Sequence, residues 1–150
     1  MISCKVEVKK INNEEGLFAK EDIEKDELII EFKGGIVDKP TKYSLQIDKN
    51  KHLESTELTD NSLNHSCNPN SYVTFQDISL RALRKINARE EITFNYLTTE
   101  WDMFSKFKCN CKNKDCFKDI RGYKYLTKDE RKRLKNITSP FLKSSSKIDL

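Results

Sequence analysis

Apolar and polar residues alternate along most of the chain, and the habit breaks only near the C-terminal end. "ISCKVEVK", Ile2 to Lys9, follows a period of two and predicts a first strand, not a targeting peptide. "ELIIEFK", Glu27 to Lys33, predicts a second strand, followed by a turn at Gly34-Gly35. "YSLQID", starting at Tyr43, is a third. "YVTFQ" and "ISLRALRKI" flank Asp77 and predict a hairpin, and "EEITFNY" predicts a short strand ending at Tyr96. A helix start appears only at Thr127-Lys128-Asp129-Glu130, where the S/T-x-x-E spacing lets threonine and glutamate satisfy free backbone N–H groups. Leu134 and Ile137 would give that helix its buried edge, and "SSSKIDL" would form a frayed tail. The expected class is mostly β with many short strands, a cysteine-rich appendage and a C-terminal helix.

Composition narrows this picture. The chain has 150 residues, enough for one domain with a real core, and neither a repeat nor a linker divides it. Hydrophobic residues make up 36% and charged residues 35%, and no apolar run reaches the ~18–20 residues of a membrane span. These features predict a soluble, intracellular protein with no membrane partner. The net charge of +4 is spread among both signs. Only "KDERKRLKN" approaches a basic patch, and a solvated helix face explains it better than a nucleic-acid site does.

The five cysteines are Cys4, Cys67, Cys109, Cys111 and Cys116. An odd number without a secretory segment argues against a disulfide framework. "CNCKNKDC" crowds three of them as C-x-C-x4-C, which suits a structural metal; tetrahedral zinc then needs a fourth thiolate or imidazole. By residue type the fourth ligand is Cys67, Cys4, His52 or His65. Cys67 lies in "NSLNHSCNPNSY", where Pro69 and the flanking asparagines would hold it in a fixed turn. A ligand there would staple the C-terminal segment to the body of the domain.

"NHSCNPN", "EEITFNY" and "FKCNCKNKDC" stand in the order and approximate spacing of SET-domain protein lysine methyltransferases with a post-SET zinc segment. Upstream, "EEGLFAKEDIEKDELIIEFKGG" is similar to that family's first motif, a G-x-G-[VL]-[FY]-A run leading to a strand that ends in glycine. The chain therefore resembles a small stand-alone SET protein over nearly its whole length. The resemblance implies a fold of several small curved sheets with a knot-like core, divided into a SET domain (1–100), a post-SET zinc segment (101–126), and a C-terminal helix and tail (127–150). It also implies methyl transfer from S-adenosylmethionine to a lysine of a protein substrate, such as a histone tail. The compartment would be nuclear in that case and cytoplasmic otherwise.

By position in the motifs, Tyr96 would be the catalytic tyrosine, Tyr43 would line the lysine channel, and Phe94 would set room for more than one methyl group. Glu15, Gly16, Leu17, Phe18, Asn64 and His65 would contact the cofactor, and Phe107 or Phe117 would close over it. Cys67, Cys109, Cys111 and Cys116 would hold structural zinc. Three residues depart from the family pattern, Glu14 and Arg89 where glycine is usual and Asn95 where aspartate is, and the arginine often found just before N-H-S-C is missing from "TDNSL". They motivate an alternative, a catalytically weak SET-like module that binds lysine-containing tails.

Overall fold

A two-residue loop, Asn12-Asn13, sets the first hairpin. Both asparagines have positive φ (51° and 65°), the conformation of a tight turn whose twist matches that of paired strands. The loop joins β1 (Val6–Ile11) to β2 (Glu14–Ala19), which pair antiparallel along their whole length. The strand expected over Ile2–Lys9 is thus displaced toward the C-terminus, and Ile2 makes only an isolated bridge to Ile30. The computed structural model describes residues 1–147.

The remaining strands are short. They are β3 (Leu28–Glu31), β4 (Gly35–Val37), β5 (Ser44–Asp48), β6 (Lys51–Glu54), β7 (Asn64–His65), β8 (Ser71–Thr74), β9 (Ser79–Ala82), β10 (Glu91–Phe94), β11 (Phe107–Lys108) and β12 (Asp119–Ile120). They form sheets in the orders β1-β2-β10-β7, β3-β9-β8, β4-β6-β5 and β11-β12. The β8–β9 hairpin around Asp77 is as expected. Gly34-Gly35 is not a turn: Gly35 opens β4, and a Cβ at Gly34 would lie 2.1 Å from the Glu54 carbonyl oxygen. Close backbone approach, not chain reversal, is the reason for glycine there.

Leu17, Ile23, Ile29, Ile30, Leu80, Ile86 and Ile92 are fully buried where the three larger sheets meet. A second cluster of Leu97, Met103, Phe117, Ile120 and Leu134 lies under the cysteine-rich segment. Helices α1 (Leu58–Asn61), α2 (Lys128–Leu134) and α3 (Pro140–Ser145) complete the fold. Thr127 and Glu130 form the expected reciprocal cap of α2. The frayed tail, expected over residues 144–150, is corrected only at its start: Ser144 and Ser145 close α3, which begins from a Ser139 cap and buries Leu142 completely. Residues 148–150 lie outside the described residues.

Strand β10 is the hub. It pairs antiparallel with β2 and parallel with β7, setting Asn64 and His65 beside Thr93 and Phe94. Buried Asn70 ties the loop after β7 to this strand: its amide donates to the Glu91 carbonyl at 2.7 Å and accepts from the Thr93 N–H at 2.9 Å. Removing the side chain leaves two strand groups without partners, at roughly 1–3 kcal/mol for each buried group. Asn70→Ala should therefore lower stability by about 2–4 kcal/mol, measured by urea unfolding. Unfolding curves that superimpose on wild type would refute this role.

Candidate active site

Strand β10 ends at Phe94, one pleat before the tyrosine. Tyr96 then opens a 3-10 turn, Tyr96–Thr98, in place of the strand end expected from "EEITFNY". Buried Asn95 caps the turn by accepting from the Leu97 N–H at 3.0 Å, and its carbonyl accepts from the Thr98 hydroxyl at 2.6 Å. The turn swings Tyr96 into a cavity of about 650 Å³, within the range of small-molecule sites. Phe94, Tyr43, Asn64, His65, Glu15 and Phe107 border the same cavity.

The aromatic rings touch. Phe94 and Tyr96 lie 4.9 Å apart between centroids, and His65 packs edge-on against Tyr96 at 5.3 Å and against Phe107 at 5.7 Å. The Tyr96 hydroxyl donates to the Leu63 carbonyl. Burial, and after it the negative charge of Glu100, pushes the phenol pKa up, so the hydroxyl stays neutral. His65 is neutral too, since burial pulls its pKa down to about 4. Its Nδ1 accepts from the Tyr96 N–H at 3.1 Å, which leaves the proton on Nε2, 3.3 Å from the Cys67 sulfur. Asn64 donates to the Glu15 carbonyl at 2.8 Å and to Glu91 Oε1 at 2.9 Å, locking β7 to β2 and β10.

The four cysteines named from the motifs meet. Their sulfurs lie within 4.8 Å of one another, and Cys67 is 3.6 Å from Cys109 and 3.7 Å from Cys116. A zinc–thiolate bond of ~2.3 Å in a regular tetrahedron spaces sulfurs about 3.8 Å apart, so these residues fit such an ion. Backbone N–H groups of Phe117 and Lys118 point at Cys67 and Cys116, each at 3.4 Å, as expected of groups that stabilise thiolates. Of the other three candidates by residue type, Cys4 is exposed near the N-terminus, His52 is buried in β6, and His65 lies 3.3 Å from the Cys67 sulfur but outside the four-cysteine cluster.

The SET-domain family model matches residues 14–97. This chain belongs to the SET-domain family. Curated SET relatives include a variant-silencing SET domain-containing protein of Plasmodium falciparum, 32% identical over 81% of this chain. Another is the histone-lysine N-methyltransferase, H3 lysine-36 specific, of Candida albicans, 31% identical over 71% of this chain. The chain spans 6% of the first relative and 15% of the second. A crystal structure of KRYPTONITE in complex with mCHG DNA and SAH has the same fold, with a TM-score of 0.61 at 22% identity, over 76% of this chain and 28% of that one.

The structure accommodates two of the three departing residues, Arg89 and Asn95; Glu14 borders the cavity. Arg89 adopts φ 73°, a left-handed conformation that glycine enters without strain, which accounts for the usual residue there. Asn95 performs its cap with a carbonyl oxygen and needs no carboxylate. At Gly16, a Cβ would lie 2.7 Å from the Glu91 carboxylate that Asn64 holds. Of Glu15 to Phe18 only Glu15 borders the cavity; Leu17 is fully buried core. Between the two aromatic candidates for a cover, Phe107 is exposed at the cavity and Phe117 is packed in the second core.

Motif reading passed over Glu100, Asp60 and Phe104, which also line the cavity. Burial raises the pKa of the Asp60 carboxyl above the carboxylate range and that of Glu100 to about 7. The signal in the sequence was a lone acid in "NYLTTEW", directly after an apolar strand. A raised carboxyl pKa means that the folded state favours the neutral acid. That stability is complete below the ordinary carboxylate range and is lost as pH rises to about 7. Glu100→Gln should therefore melt at least about 3 °C higher than wild type at pH 8, with the gap closing by pH 4.5. A gap independent of pH in calorimetric melts would contradict this.

Proposed function

We propose that this SET domain transfers methyl groups from S-adenosylmethionine to a lysine side chain of a protein. One observation carries the reading: Tyr96, Phe94 and Tyr43 converge on the same cavity as Asn64, His65 and Phe107. The charge of the cavity fits the ligands. Among the described residues the lining holds four acids, Glu14, Glu15, Asp60 and Glu100, and one Lys or Arg, Lys42, which favours a sulfonium and an ammonium over anions. Aromatic faces add cation–π attraction. The histone-lysine activity in the names of the relatives makes histone tails the first substrates to test, and a nuclear compartment follows if one is used.

When bound, S-adenosylmethionine supplies an electrophilic methyl on a cationic sulfur. The chain must deliver a neutral, aligned amine to it. Deprotonating a lysine of pKa ~10.4 at pH 7.4 costs about 4 kcal/mol. Phe94, Leu45 and Leu53 lower that cost by stripping water from the ammonium, and the nearby sulfonium lowers it further. Tyr96 spends its proton on Leu63 and presents oxygen lone pairs to the developing positive charge. Its neutral hydroxyl orients the partners and is not the base. Phe94, with no hydroxyl to hold a water, leaves room for a second methyl.

Cys67, Cys109, Cys111 and Cys116 would hold zinc as a closed structural site. Lys108, Lys112, Lys114 and Lys118 lie in the same segment and offset the charge of four thiolates. The ion would order residues 107–120, carry Phe107 to the cavity, and take no part in methyl transfer.

Incubation with labelled cofactor and core histones should label wild-type reactions, and Tyr96→Phe should cut the rate at least about 10²-fold while the domain stays folded. Mass spectrometry should find more than one methyl per target lysine. A Tyr96→Phe enzyme of wild-type rate would refute the catalytic role. Elemental analysis should find one zinc per chain. Its removal by a chelator should expose residues 107–120 to proteolysis while the β1–β10 body stays resistant. An apoprotein no more sensitive to protease than the zinc form would refute the structural role.

A further inference from the structure

Glu100 lies four residues past the tyrosine, and its N–H donates to the Tyr96 carbonyl at 3.1 Å, so the same turn carries both. Each borders the cavity. The Glu100 carboxylate accepts from the Gln46 N–H, which lies 3.2 Å from both oxygens, and Gln46 Oε1 accepts from the Trp101 N–H at 2.8 Å. This reciprocal pair fixes the acid between β5 and the tyrosine turn. No cation among the described residues offsets its charge. A purely architectural role needs acceptors for the Gln46 N–H and the Thr99 hydroxyl, which a neutral side-chain carbonyl with two lone pairs could supply without burying a charge. A carboxylate held without a counter-ion beside Tyr96, in a cavity that must admit an ammonium, has the place of a proton acceptor.

We propose that Glu100 is the general base of this site: its carboxylate pairs with the incoming lysine ammonium and takes its proton. The inference rests on the transferase reading above. The ammonium N–H bond breaks, its electron pair stays on nitrogen, and the proton goes to Glu100. The nitrogen lone pair then forms the N–C bond as the S–C bond breaks and its electrons pass to sulfur. The product leaves as a methylammonium, and Glu100 releases its proton to water, ready to take the next one before a second transfer. A base is most effective when its pKa lies near working pH, and burial has pushed this one to about 7.

Other titratable groups in the cavity are poorly placed for the task. His65 is neutral and already accepts from Tyr96, and the Tyr96 phenol is protonated. Asp60, on α1, hydrogen-bonds toward Ser55 and Thr59. Glu14 and Glu15 lie at the start of β2, and Lys42 and Tyr43 lie ahead of β5.

The test is Glu100→Gln, which keeps the acceptor for Gln46. Trp101, the single tryptophan, is the adjacent residue and reports the ionisation by fluorescence. Wild type and Asp60→Asn should show an inflection near pH 7 that Glu100→Gln lacks. With core histones and labelled cofactor, wild-type kcat/KM should rise with pH and level off above about 7. Glu100→Gln should fall about 10²-fold at pH 7 and climb without that plateau as free amine becomes available, while Glu100→Asp recovers part of the rate. Calorimetry with S-adenosylhomocysteine should give similar affinities for wild type and Glu100→Gln, showing an intact cofactor site. Equal rates and pH profiles for wild type and Glu100→Gln, or identical Trp101 titrations, overturn the proposal. Wild type without heat of cofactor binding overturns the transferase reading itself.

Discussion

The imidazole of His65 joins two groups that the chain keeps far apart. One ring nitrogen receives the backbone N–H of Tyr96, and the other lies against the sulfur of Cys67. Both contacts depend on the parallel pairing of β7 with β10, which sets His65 opposite Phe94 and points its ring toward the tyrosine turn. An isolated pair of two-residue ladders would not persist in water. Here Asn70, Ser71 and Asn64 reinforce the contact by binding the exposed groups of β10 and β2. A polar loop between two apolar strands therefore acts as the lock of the fold. Its amides complete the backbone hydrogen bonding that so short a strand cannot complete alone.

From this lock the two halves of the site take their positions. On one side the rings of Tyr96 and Phe107 pack edge-on against His65, with Phe94 against Tyr96. On the other the cysteine sulfurs gather at Cys67, whose loop follows β7 directly. With a metal ion bound there, the ring N–H of His65 would face a thiolate and its tautomer would be fixed from both ends. The cysteine-rich segment buries only Phe117 and Ile120 in the second core, little for a piece of chain with two-residue strands. Cross-linking by an ion would answer that deficit and would hold Phe107 at the cavity.

Motifs made legible what recurs at fixed spacing: the cysteine set, the tyrosine after the apolar strand, the hairpin about Asp77 and the Thr127 cap. Other features rest on contacts that spacing does not encode. The "EEITFNY" pattern continues the β alternation to Tyr96, but Asn95 captures the Leu97 N–H and ends the strand early. Gly34-Gly35 looks like a turn because glycine is a turn former, yet its neighbour Glu54 is brought close only by the β4–β6 pairing. Pro140 to Ser145, which overlap only the start of the expected tail, have too few apolar residues to announce a helix. They form one because Ser139 donates its N–H to the Thr98 carbonyl and Leu142 finds a fully buried place. Glu100 escaped notice for a related reason, since an acid in a loop reads as solvated until the cavity around it is known.

The last of these contacts bears on chemistry. The turn Tyr96–Thr98 is gripped from three sides: Asn95 caps its start, Gln46 holds Glu100 just beyond it, and Ser139 at the start of α3 hydrogen-bonds to the Thr98 carbonyl. In-line displacement requires near-collinear nitrogen, carbon and sulfur, and misplacement by 1 Å can cost about 10²-fold in rate. A hydroxyl and a carboxylate on a mobile loop would not meet that demand. On this turn their separation is set by one backbone hydrogen bond, and their orientation by elements from β5 to α3. The C-terminal helices, remote from the cavity in sequence and lacking any residue in its wall, would under the proposed reaction be part of what keeps the amine aligned.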